Sequence, residues 1–135
     1  MGLYARLARH TPMSQLKYSV RRLKHGNKKT IVDGITFDSQ REAKRYGELK
    51  LLQKAGEISN LQLQVPYKLL DSVRIDGRKK PPIRYIADFV YWIHAEDDYY
   101  TIIEDAKSPH LRKNPVYRLK KHLLKAMYGV EIKEV

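Results

Sequence analysis

Along the chain the apolar positions change period several times, and each change predicts an element. Leu16, Val20 and Leu23 recur at helical spacing behind Thr11-Pro12 and stop at His25-Gly26, which predicts a short basic amphipathic helix over 11–25. Two apolar triplets then flank Asp33-Gly34, a dipeptide that accepts the positive φ of a two-residue turn, so 30–37 reads as a hairpin. Ser39 and Glu42 have capping-box spacing. Ala43, Tyr46, Leu49, Leu52 and Ala55 keep the helical period up to Gly56, which predicts a helix over 39–55.

Alternation over 61–70 sets Leu61, Leu63, Val65, Tyr67 and Leu69 on one face of a strand, with Gln62, Gln64 and Lys68 on the other. Pro66 marks it as an edge or a bulge. Asp76-Gly77 opens a turn and a basic loop running to Pro82, and 83–93 is a second strand. The acidic turn Ala95-Glu96-Asp97-Asp98 joins it to a third over 99–107, so closely that the pair must be antiparallel. A polar, basic connector leads to a helix opened by Asn114-Pro115 and closed by Gly129, with Val116, Leu119, Leu123 and Met127 expected inward. A short strand over 130–135 ends the chain. Helix, hairpin, helix, three strands, helix, strand is an α/β order without internal repeats.

With 135 residues the chain has the length of one domain, here expected as a basic N-terminal extension over 1–27 and a folded domain over 28–135. No cysteine is present, which excludes disulfide frameworks, thiolate metal sites and cysteine nucleophiles. The longest apolar run, Phe89 to Ile93, is far shorter than the ~18 residues of a membrane span, so no membrane partner is expected and a cytoplasmic protein is. The net charge is +12, and a surplus of this size on a small domain answers a polyanion, nucleic acid first. It is unevenly spread: residues 1–30 hold eight cations and no acid, 31–107 are close to neutral, and 108–135 hold seven cations and two acids. Acids are gathered in the middle of a molecule that otherwise attracts phosphate.

Among those acids Asp88 is the anomaly, since it interrupts the apolar run Tyr-Ile-Ala-Asp-Phe-Val-Tyr-Trp, where a carboxylate is costly unless compensated. An antiparallel hairpin centred between Glu96 and Asp97 pairs Asp88 with Asp105 on one sheet face. Two such neighbours call for a divalent cation, a shared proton or a cationic side chain; Lys107, two residues beyond Asp105, is expected on the same face and Glu104 on the other. Glu42 lies on the buried side of its helix with Tyr46 and Leu49, although capping alone also accounts for a Glu there. Ordinary ion pairs would likewise account for Asp88, Asp105 and Lys107 taken singly. None of the five histidines has metal-ligand spacing, and no GxSxG or phosphate-loop motif is present.

Glu42, then Asp88, then Asp105-Ala106-Lys107 resembles the signature of the PD-(D/E)XK, restriction-endonuclease-like, nuclease superfamily. FDSQREAKRY, Gln64 in LQLQVPYKL, YIADFVY and IIEDAK are similar to its small phage and prophage endonucleases, over about residues 26–135. The proline before the first acid is replaced by Ala87. The resemblance implies a restriction-endonuclease-like core, a central mixed sheet flanked by helices, here with an extra basic N-terminal helix. It also implies a Mg²⁺-dependent endodeoxyribonuclease, with Mn²⁺ able to substitute, acting in phage DNA processing or recombination, in the host cytoplasm if phage-encoded. Asp88, Asp105, the Ala106 carbonyl and Glu42 would hold metal, Lys107 would orient or deprotonate the attacking water, and Gln64 would join the catalytic set. Lys79, Lys80, Arg112, Lys113, Arg118 and Lys121 are the expected phosphate contacts. Branched or Holliday-junction DNA is the substrate expected by analogy with small phage resolvases, and cutting both strands of a symmetric junction requires a homodimer. No small-molecule cofactor is expected. The rival readings are a non-catalytic nucleic-acid-binding protein and a nuclease acting on RNA.

Overall fold

The computed structural model describes residues 28–135; the helix expected over 11–25 and the extension over 1–27 lie outside them. Asp33 and Gly34 take positive φ, 52° and 75°, and close the hairpin of β1 (Thr30–Val32) and β2 (Ile35–Phe37). Helix α1 (Gln40–Lys54) begins where the Ser39 hydroxyl accepts the Glu42 backbone N–H at 3.1 Å, and it buries Glu42, Ala43, Tyr46 and Leu49. Long strands β3 (Ser59–Leu70) and β6 (Ile83–Ala95) are antiparallel. Between them the expected basic loop is a hairpin, β4 (Val73–Ile75) and β5 (Arg78–Lys80), because Asp76 and Gly77 form a second positive-φ turn that brings 73–75 and 78–80 into register.

Strand β7 (Asp98–Asp105) returns along β6, and after a 3₁₀ turn at Leu111–Lys113 helix α2 (Pro115–Tyr128) crosses to β8 (Ile132–Glu134), which pairs parallel to β7. The sheet order is β3-β6-β7-β8, so the domain is α/β with a mixed central sheet and two helices. One core joins α1 to Phe89, Tyr91 and Ile102. The other joins Tyr117 and Leu124 of α2 to Val65, Leu69, Tyr85, Val90 and Ile103. Neighbours in β6 and β7, Phe89 and Val90 or Ile102 and Ile103, go to different cores, which places the helices on opposite faces.

Three expectations are corrected. Strand β3 does not keep one apolar face: Leu61 and Leu63 pack with the α1 core, Val65, Tyr67 and Leu69 with the α2 core, and Gln62 is buried. The break falls at Gln64, whose φ of 52° departs from the pleat, after an irregularity between Ser59 and Gln62. Helix α2 turns Tyr117 and Leu124 inward and leaves Val116, Leu119 and Met127 exposed; only Leu123 of the expected set is partly buried. Strand β7 ends at Asp105, not Lys107, because the chain leaves the sheet once Val135 closes the parallel pairing: Val135 N–H donates to the Asp105 carbonyl and Lys107 N–H to that of Val135.

Candidate functional site

From Phe89↔Glu104 to Ala95↔Asp98 the β6–β7 pairing has the register in which Asp88 stands opposite Asp105, one step beyond the last paired residues. Both side chains are buried, at 6% and 1% exposure. Asp88 accepts two hydrogen bonds from neutral donors: the Ala106 backbone N–H reaches Oδ2 at 2.9 Å, and the Gln64 amide reaches Oδ1 at 3.1 Å. The same amide nitrogen donates to Glu42 Oε1 at 3.0 Å, so Gln64 ties the first turn of α1 to the middle of β6. The register sets Gln64 opposite Asp88, between Leu63↔Phe89 and Val65↔Ala87, and its backbone there is left-handed, a strained conformation at the point where its amide meets both acids.

Asp105 is held on the α2 side. Tyr85 donates its hydroxyl to Oδ2 at 2.8 Å, and Lys107 donates its ammonium to Oδ1 at 2.9 Å. Lys107 Nζ also lies 5.1 Å from the centre of the Tyr117 ring, an attractive position for a cation, so the lysine is clamped between an acid and an aromatic face. Neither tyrosine stands out in the sequence, where each looks like one more aromatic core residue. Burial pushes both phenols far above their ordinary range, with Asp105 adding to it and Glu134 also acting on Tyr117, so both stay neutral; among the described residues the buried Tyr117 hydroxyl has no partner at ordinary hydrogen-bond distance.

Burial pushes the Asp88 carboxyl well above the usual carboxylate range, and the neighbouring Asp105 and Glu42 push it further, opposed by Lys107. The contrast with Glu104 is informative. That residue is fully buried, points to the α1 face as expected, and is answered by a two-pronged Arg45 contact at 2.7 and 2.8 Å, by the Tyr91 hydroxyl at 2.5 Å and by Lys133 at 3.1 Å. Burial raises the Glu104 pKa, but these partners outweigh it and hold the carboxyl below its ordinary value. Asp88 makes no ion pair among the described residues.

Glu42, Asp88 and Asp105 supply hard carboxylate oxygens, and the Ala106 peptide lies against Asp88, a donor chemistry that suits Mg²⁺ or Mn²⁺. Among the described residues no three acids or histidines form a ready-made cation cage. In the observed arrangement the Gln64 amide spans two of the acids, and Lys107 and Tyr85 each hold one oxygen of the third, leaving the second lone pair of each Asp105 oxygen for a cation.

Of the expected phosphate contacts, Lys79 and Lys80 project from the exposed β5, and Lys113 and Arg118 are exposed around the start of α2. Arg112 and Lys121 are engaged internally. Arg112 donates to the Lys107 carbonyl at 3.0 Å and pairs with Glu134, as does Lys121, which also lies over the Tyr117 ring. A cleft of ≈ 390 Å³ bordered by Arg41, Lys44, Arg45, Glu48 and Val135 contains none of the candidate residues.

The fold and this cluster define a small α/β domain that gathers three acids, a glutamine and a lysine at the central strands, with Glu42 from α1 and Lys107 against Tyr117 of α2. The chain belongs to the family described as "Protein of unknown function (DUF1064)", which it matches over residues 22–134. No curated protein and no solved structure matches it. No helix among the described residues is long and apolar enough to cross a membrane.

Proposed function

We propose that this chain is a metal-dependent endodeoxyribonuclease of the PD-(D/E)XK kind, with Glu42, Asp88, Asp105 and Lys107 as its centre and Gln64 positioning two of the acids. The observation that carries this reading is the unequal treatment of buried acids: Glu104 is paired with Arg45 and Lys133, whereas Asp88, beside Asp105, makes no ion pair among the described residues. Leaving a buried acid without a countercharge is expensive, and a site built to receive a cation gives that expense a purpose.

Asp88 and Asp105 would hold Mg²⁺ or Mn²⁺, with the Ala106 carbonyl and Glu42 completing the oxygen set. When bound, such an ion polarises the scissile phosphate and stabilises charge on the leaving oxygen. Lys107, steered by Asp105 Oδ1 and the Tyr117 ring, orients the attacking water and offsets charge building on the phosphate. Tyr85 keeps the other Asp105 oxygen fixed. Exposed Lys79, Lys80, Lys113 and Arg118 attract the DNA backbone, Arg112 and Lys121 brace Glu134 near it, and the substrate we favour is branched phage DNA.

The test is a digestion of duplex, single-stranded and four-way-junction DNA, and of a matched RNA duplex, with Mg²⁺ or Mn²⁺. Cleavage of DNA that disappears in Asp88→Asn, while that variant binds DNA as well or better, is the expected result. Cleavage of RNA alone would move the substrate to RNA. Tight binding with every substrate left intact would make the chain a nucleic-acid-binding module.

A further inference from the structure

Beyond the body of the sheet, β3 and β6 run into the β4–β5 hairpin, where every residue from 71 to 81 is exposed. Residues 73–80 carry Arg74, Arg78, Lys79 and Lys80 against one acid, Asp76. The tip is a tight turn, with Asp76 at φ 51° and Gly77 at φ 72°, braced by Arg74 donating to the Gly77 carbonyl at 3.2 Å. Arg78, Lys79 and Lys80 make no ion pair among the described residues.

Pairing decides which side chains share a face. Val73 opposes Lys80 and Ile75 opposes Arg78, while Arg74 opposes Lys79. Alternation therefore puts two aliphatic side chains and two cations on one face and two cations on the other. Val73 and Ile75 are 54% and 53% exposed. A single exposed aliphatic residue is unremarkable in any protein. Two on one face of a projecting ribbon, each opposite a cation, match the surface of a DNA groove, which offers apolar sugar and methyl groups between rows of phosphate.

We propose that this hairpin is a DNA-binding arm that enters the major groove away from the cleavage site, with Val73 and Ile75 on the groove wall and Arg78 and Lys80 on the flanking phosphates. It rests on the nuclease reading only for the choice of DNA as ligand. A two-stranded ribbon fits the ~12 Å width of that groove. Lys80 lies eight residues before Asp88, which at ~3.3 Å per residue allows up to ~26 Å between them. Duplex DNA advances ~3.4 Å per base pair, so the arm reaches up to about eight base pairs from the acids. The deep, narrow major groove of A-form RNA does not admit such a ribbon.

The experiment compares full-length Asp88→Asn protein with the same protein also carrying Val73→Ser, Ile75→Ser, Arg78→Ser and Lys80→Ser. Both are titrated with duplexes of about 8 and about 24 base pairs over a range of salt. All four positions are exposed, so a thermal melt should show the fold retained. On the long DNA the arm variant should bind at least ~10-fold more weakly, with a salt slope shallower by about two. On a long RNA duplex the two proteins should bind alike, and on the short DNA, just long enough to span from the acids to the arm, the loss should be no larger than on the long DNA. Equal affinity on long DNA, or the same loss on RNA, would overturn the arm. Mg²⁺ cleavage by the forms that keep Asp88 is run alongside. Continued cleavage with no effect of the arm sinks this inference alone, and an arm effect confined to DNA without any cleavage sinks the nuclease reading alone.

Discussion

Glu104 and Asp105 are neighbours in β7 and both are buried, yet the chain treats them differently because alternation sends them to opposite faces. Glu104 meets Arg45 and Lys133, so removing the arginine strands a buried charge: Arg45→Met should lower unfolding free energy by about 3 kcal/mol, read from urea titration. Asp88 has the reverse character. Its folded-state pKa is raised by burial and by the acids around it, so the native protein holds a proton that the unfolded chain releases near pH ~3.9. That contribution is fully present below the unfolded value and is lost as pH rises through the folded one. In EDTA, Asp88→Asn should therefore melt several degrees higher than the parent near pH ~8, with the gap closing as pH falls towards ~4. An unchanged gap across that range would mean that Asp88 ionises normally. Tyr85→Phe removes one donor from Asp105 and should weaken Mn²⁺ binding, read by calorimetry, by about 10- to 100-fold, from the ~1.5–3 kcal/mol of a hydrogen bond to a charged group.

Elements were legible in the sequence wherever a local signal has one physical reading. Asp33-Gly34, the Ser39 cap, Asn114-Pro115 and Gly129 all sit where expected, since turn and cap geometry depends on a few adjacent residues. The β6–β7 register could be counted because a two-residue turn fixes it. Local pattern fails where tertiary context chooses between equal options. LQLQV reads as unbroken alternation, and nothing in it announces that Gln64 takes a left-handed backbone to reach Glu42 and Asp88. Helix α2 offers two apolar stripes, and the chosen one carries Tyr117, which must lie beneath Lys107, so Leu119 is left outside. Leu124→Ala should accordingly cost about 3 kcal/mol, whereas Leu119→Ser should stay within about 0.5 kcal/mol by denaturant titration.

Across the whole molecule the charge distribution has a use. On the proposed reading, a near-neutral centre that concentrates its acids, between cationic ends, would let DNA be drawn in by the flanks while its scissile phosphate meets carboxylates. If about four phosphates are engaged, affinity should fall by roughly 100-fold between ~50 and ~200 mM salt, with cleavage at low substrate falling in step. The measurement that bears most directly on this account is Mn²⁺ titration of the parent protein and Asp88→Asn by calorimetry, with DNA cleavage assayed on the same samples. Saturable binding and cleavage that are both lost in the variant are the expected result. A parent protein that takes up no divalent ion at this cluster and leaves DNA whole would contradict it.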